Sequence, residues 1–199
     1  AFKEYNYVEG EKYFTEALLI AQTQKNKKQE ASCYMTLSSS MANRLEFDKS
    51  INYTKKAISI YDSLGDKSRI PEAYRLIANA VQAKGDFYGA RKNYEQSIEI
   101  ATAINSKADV GYAYNSLVFL YVIQGELSKA EKAADTCLSI FSNLNNTNQM
   151  ANAYLAKGMV SEAKSDGITA IKYYNLADSI FTKEKDNFGL SSCQTSIAC

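Results

Sequence analysis

The sequence predicts an all-α solenoid in which antiparallel helix pairs stack one after another. Three observations carry that prediction: residue types recur every 40 positions with no insertion, apolar residues between the recurrences follow helical spacing, and short Gly- or Asn-containing breaks separate the segments. Self-similarity at such a period is a fold-level signal, because a unit that cannot bury its apolar face alone does so against its neighbours.

Written in rows of 40, Tyr34, Tyr74, Tyr114 and Tyr154 share one position, each preceded by a small residue, Cys33, Ala73, Ala113 or Ala153. Leu37, Ile77 and Leu117 follow three residues later. Small residues return at Gly10, Ser50, Ala90, Ala130 and Ala170, and again at Ala17, Ala57, Ser97, Cys137 and Ala177. An apolar column at Ile20, Ile60, Ile100, Ile140 and Ile180 closes the unit. The small residues are expected where helix backbones approach closely, and the tyrosine column is expected to fill the core between them.

Each unit reads as a helix A and a helix B. In the second full unit helix A is expected from about Pro71 to Lys84, since proline is tolerated in a first turn. Gly85 then takes a left-handed backbone, and Asp86 caps the next helix. The breaks after helix B are Gly65-Asp66-Lys67, Asn105-Ser106-Lys107 and Asn145-Asn146-Thr147. The expected organisation is a single repeat domain with a partial repeat at 1–26, full repeats at 27–66, 67–106, 107–146 and 147–186, and a partial repeat at 187–199. The first residue is Ala1, and Cys199 falls within an apolar-periodic stretch, so the chain reads as a fragment of a longer one.

Composition narrows the function. There is no histidine, which removes the usual proton shuttle and commonest metal ligand, so Ser/His and Cys/His nucleophile systems and an ordinary zinc site are excluded. No phosphate-binding glycine loop or paired-carboxylate motif occurs, and neither an enzyme nor a cofactor is expected. Net charge is +1 with no basic stripe, which argues against nucleic acid, and no apolar run is long enough to cross a bilayer. Cys33, Cys137, Cys193 and Cys199 form no CxxC pair, which leans toward a reducing compartment; a periplasmic one stays open.

The column of aromatic, Leu and small residues in helix A, followed by Gly85-Asp86-Phe87, Ala90, Tyr94 and Ser97, resembles the tetratricopeptide repeat over nearly the whole chain. The chain departs from that family in having Tyr for the signature Trp, Asp62, Thr102 and Ser142 for the proline that ends helix B, and 40 residues instead of about 34 per unit. The missing proline explains the length, because helix B then runs on to the Gly or Asn break. The resemblance implies a right-handed superhelix whose A helices line a concave, peptide-holding side. Its 40-residue unit is similar to repeat regions of bacterial sensor and regulator proteins.

Subtracting the core columns leaves a stripe on that side, spaced i, i+3, i+7. It holds Ser32, Met35 and Ser39; then Glu72, Arg75 and Asn79; then Tyr112, Asn115 and Phe119; then Asn152, Leu155 and Met159. Amides and a guanidinium on successive turns can donate to and accept from an extended peptide backbone, and Phe119 adds an apolar wall. The candidate ligand residues are therefore Arg75, Asn79, Tyr112, Asn115, Phe119, Asn152, Leu155 and Met159. Two alternatives stay open: Phe119, Val122 and Ile123 pack between neighbouring A helices, or the chain is a passive scaffold that self-associates through helix ends.

Overall fold

A left-handed backbone residue recurs every 20 positions along the chain, at Lys25, Leu45, Gly65, Gly85, Asn105, Gly125, Asn145 and Ser165. Each ends one helix. At Gly85 the N–H bonds to the Gln82 carbonyl at 2.9 Å and the next N–H, of Asp86, reaches back to Val81 at 3.2 Å. This pair of bonds satisfies carbonyls that a helix end leaves open. The residue after each left-handed position then caps the following helix. Asn26, Asp86 and Asn146 do so with side-chain oxygens that accept from the N–H of Gln29, Gly89 and Gln149. Glu46 and Glu126 occupy the same position without a side-chain cap.

The computed structural model describes residues 2–184 and Asp186, and the truncated element expected from Asn187 onward lies outside them, with Cys193 and Cys199. Among the described residues there are nine α-helices and no strand. They are α1 (Phe2–Thr23), α2 (Lys27–Asn43), α3 (Phe47–Ser63), α4 (Ile70–Ala83), α5 (Phe87–Ala103), α6 (Lys107–Ile123), α7 (Leu127–Asn143), α8 (Thr147–Ala163) and α9 (Gly167–Glu184). A single 3₁₀ turn, Lys67–Arg69, leads into α4, where Pro71 sits in the first turn.

The chain divides into two compact units, Ala1–Asn105 with α1 to α5 and Ser106–Cys199 with α6 to α9. In unit 1 each helix packs on the next, and the A helices α2 and α4 also touch. In unit 2 α6, α7, α8 and α9 pack in the same sequence, and the A helices α6 and α8 touch.

The small-residue columns are buried from Ser50 onward, at Ser50, Ala90, Ala130 and Ala170 and at Ala57, Ser97, Cys137 and Ala177, while their first members Gly10 and Ala17 in α1 are half-buried. The tyrosine column is not buried throughout. Tyr34 is buried, but Tyr74, Tyr114 and Tyr154 are half-buried. The Ile column is likewise half-buried at best, with Ile20 56% exposed. The large buried side chains lie one residue further on, at Tyr61, Phe141 and Phe181, and at Tyr94 and Tyr174. The cause is pairing by size between the helices of one unit. Gly158 of α8 lies directly against the Tyr174 ring of α9, and Gly111 of α6 against the Phe141 ring of α7. At the register of Gly158 and Tyr174, the earlier units carry Val118 with Ala134, Ala78 with Tyr94, and Ser38 with Thr54. The last of these pairs is polar but closed: Ser38 shares hydrogen bonds with Thr54 at 2.6 Å and Ser50 at 2.9 Å.

Candidate functional site

In unit 1 the stripe is mostly polar and partly engaged by the fold. Met35 is 3% exposed and belongs to the core cluster with Tyr61 and Ile70, so it is not a groove residue. Glu72 is bound by Arg69 at 2.9 Å. Arg75 is half-buried, and Asn79, one turn along α4, is exposed with its Oδ1 accepting from the Tyr94 hydroxyl at 2.6 Å. That bond engages the carboxamide oxygen and does not use the two NH₂ donors.

In unit 2 the contact between α6 and α8 brings six of the predicted residues onto two adjacent helices. Tyr112, Asn115 and Phe119 on α6 and Asn152, Leu155 and Met159 on α8 are all half-buried, and none is charged. Two of them double as structure. The Tyr112 ring meets Phe141 at 5.3 Å, tilted, and Leu155 packs against the Ala151, Ala177 and Phe181 cluster. Asn152 donates to Gln149 at 3.1 Å, while Asn115 accepts only a long contact from the Cys137 thiol at 3.9 Å. Asn115 thus keeps most of its hydrogen-bonding capacity beside Phe119, one turn away. Val122 is half-buried and Ile123 is 58% exposed, which extends apolar surface to the end of α6.

Burial pushes the Cys137 thiol up to about 12, so it packs as a small apolar group and supplies no thiolate. Among the described residues no three Cys, Asp or Glu side chains cluster in a way that could hold a metal ion, and no helix is long and apolar enough to cross a membrane.

A tetratricopeptide repeat family model matches residues 69–143, which span α4, α5, α6 and α7 in full. Residues 69–143 are tetratricopeptide repeats. Their 40-residue unit is two 17-residue helices, each with a three-residue turn, as in the pair α6 and α7. Comparison with curated proteins gives no match. Among solved structures, the chain is similar to BtubC (BKLC) from P. vanneervenii, with 20% identity, a TM-score of 0.75, and coverage of 92% of this chain and 76% of that one. It is similar to aspartyl phosphate phosphatase F from Bacillus subtilis at 17% identity, TM-score 0.82, covering 93% of this chain and 49% of that one. It is also similar to a Rap protein complexed with competence and sporulation factor, at 16% identity, TM-score 0.84, with 96% of this chain and 54% of that one covered. The chain spans about half the length of the last two. At these identities the likeness shows the helical-repeat fold alone.

One residue of note escaped the column reading. Lys157 stands where Leu37, Ile77 and Leu117 stand in the other tetratricopeptide units, and the break in that column was its visible signal. Its side chain is 17% exposed, bonded to Asp135 and placed over the Tyr173 ring at 5.1 Å. Burial disfavours its charge, but Asp135 and Tyr173 together lift its pKa above the ordinary lysine value.

Proposed function

We propose that this tetratricopeptide module holds a peptide or protein segment, and serves as the sensor or interaction region of a bacterial signal-transduction or regulatory protein. The observation that carries the reading is the uncharged face of α6 and α8, where Asn115 lies beside Phe119 across from Asn152, Leu155 and Met159. Amides suit a peptide backbone and the half-buried apolar groups suit its side chains. The structural likeness to a Rap protein complexed with a factor is consistent with a regulatory role. Selection of ligands from a displayed random-peptide library, followed by fluorescence anisotropy on Asn115→Ala and Phe119→Ala, tests it. Each variant is expected to lose about tenfold in affinity or more, equivalent to about 1.4 kcal/mol. Unchanged affinity in both removes the α6–α8 face from the function.

A second reading, self-association, is favoured by α9, where Ile168, Ile171 and Leu176 are 88%, 50% and 39% exposed along one helix face. Light scattering over a range of concentrations separates the two readings: a monomer throughout removes this one.

A further inference from the structure

A cleft of about 140 Å³ opens in unit 2 between α7, α8 and α9. Its wall on the α8 side is Lys157, Val160, Ser161 and Lys164; the three polar residues are spaced i, i+4, i+7, nearly opposite the stripe of Asn152, Leu155 and Met159. The same register in unit 1, 80 residues earlier, also forms a cleft, but with Ile77 and Val81 in place of Lys157 and Ser161, and Ile51 in place of Glu131. At these three positions the repeat accepts apolar residues, so folding alone does not require Glu131, Lys157 and Ser161 to be polar.

Two further observations point to a ligand. Ser161 is only 8% exposed and lines the cleft. A hydroxyl that lines a cleft can donate to an acceptor that enters it. Lys157 and Lys164, on either side of it, are held at their outer edges by exposed acids, Asp135 (55% exposed) and Glu131 (54% exposed, 2.6 Å from Lys164). An ammonium has three N–H groups, so one bond to a rim acid does not exhaust it.

We propose that this cleft is a carboxylate-binding site, in which the Ser161 hydroxyl donates to a carboxylate flanked by the ammonium groups of Lys157 and Lys164. Asp135 and Glu131 neutralise the two lysines while the cleft is empty and compete with the ligand when it arrives. Asp166, which lines the cleft with Glu131, is committed through its Oδ1 to the Thr169 N–H at the start of α9, 3.1 Å away. The cavity admits only a small group, since pockets for larger ligands run to about 300–1,000 Å³. Its occupant is either a small free acid or the Asp or Glu side chain of a bound protein. Three nearby acids keep affinity modest and make Asp135 the residue that limits it.

The test is an NMR titration of the ¹⁵N-labelled chain with sodium acetate and, separately, with the capped tripeptide acetyl-Gly-Glu-Gly-amide, with ionic strength held constant by sodium chloride. Saturable shifts at the amides of α8 around Ser161 are expected with at least one probe. Saturation with acetate identifies a free acid as sufficient, and saturation with the tripeptide alone identifies a protein side chain. Lys157→Leu and Ser161→Val restore residues that the other units carry at this register, so both variants keep the fold, and each is expected to weaken binding about tenfold or more. Asp135→Asn is expected to tighten it. No saturation with either probe, equal shifts in the wild-type, Lys157→Leu and Ser161→Val proteins, or binding that Asp135→Asn fails to tighten overturns the proposal. The peptide face of α6 and α8 plays no part in this titration, so the two readings fail separately.

Discussion

The Tyr94 hydroxyl donates to Asn79 Oδ1 at 2.6 Å, with Gln82 Oε1 a second acceptor at 3.1 Å. A B-helix residue that is 2% exposed thereby fixes the orientation of an exposed amide on the neighbouring A helix. Tyr94→Phe keeps the ring in the core and removes the hydroxyl with its links to Asn79 and Gln82. It is expected to cost about 1 kcal/mol in urea unfolding, the usual net value of one hydrogen bond, and to broaden the Asn79 side-chain NH₂ resonances. A sharp, unshifted Asn79 pair in the variant argues that the bond does not order the amide.

Gly158 exists because Tyr174 does. A Cβ at residue 158 falls 2.5 Å from Cδ1 of that ring, inside any tolerable contact. Gly158→Ala is therefore expected to destabilise by about 1–3 kcal/mol through overpacking. The combination Gly158→Val with Tyr174→Ala rebuilds the pair that Val118 and Ala134 form one unit earlier, and is expected to be more stable than the sum of its single changes predicts. Strict additivity in thermal or urea unfolding contradicts pairwise size matching.

Leu45 is 73% exposed and has φ of 63°, a backbone conformation that costs a side-chain-bearing residue roughly 1–2 kcal/mol. Leu45→Gly removes that strain at some loss of unfolded-state restriction, and is expected to stabilise by about 0.5–1 kcal/mol. Gly85→Ala, at φ of 86°, is expected to move stability the other way by about 1 kcal/mol. Urea midpoints at neutral pH measure both. A destabilised Leu45→Gly shows that the leucine side chain makes a contact worth more than the strain.

The helix pairs were legible because a solenoid repeats its environments, and turns at Gly65, Gly85, Gly125, Asn105 and Asn145 use residues suited to a left-handed backbone. Lys25, Leu45 and Ser165 hold the same conformation without that signature, and only the 20-residue spacing betrays them. The core was misread for a physical reason. Tyr74, Tyr114 and Tyr154 recur because half-buried positions tolerate one residue type throughout, whereas buried positions vary as each residue is sized to its own partner. Tyr61, Ala101, Phe141 and Phe181 make one such irregular column, fully buried in every unit. In the candidate stripe, helical spacing brought out the uncharged residues of α6 and α8, but it gave no sign that Met35 would be drawn into the core.

Glu30 makes stability depend on acid. Its carboxylate, 6% exposed, accepts from Lys27 at 2.9 Å and from Gln22 at 3.3 Å, and Lys27 above all holds its pKa below the ordinary glutamate value. Asp66, paired with Lys28 at 2.8 Å and capping the turn at Ser68, is lowered to about 2. Both are depressed in the folded chain, so the unfolded chain binds these protons more readily. The stabilisation is then complete above the ordinary carboxylate range of about 4 and is lost as pH falls through the folded values. Unfolding midpoints are expected to be flat from neutral pH down to about 5 and to drop steeply toward pH 2. Glu30→Gln and Asp66→Asn should each be less stable than the wild type at neutral pH and converge with it in acid. A gap between wild type and variant that stays constant across the whole range assigns these carboxylates a packing role in place of a charge-dependent one.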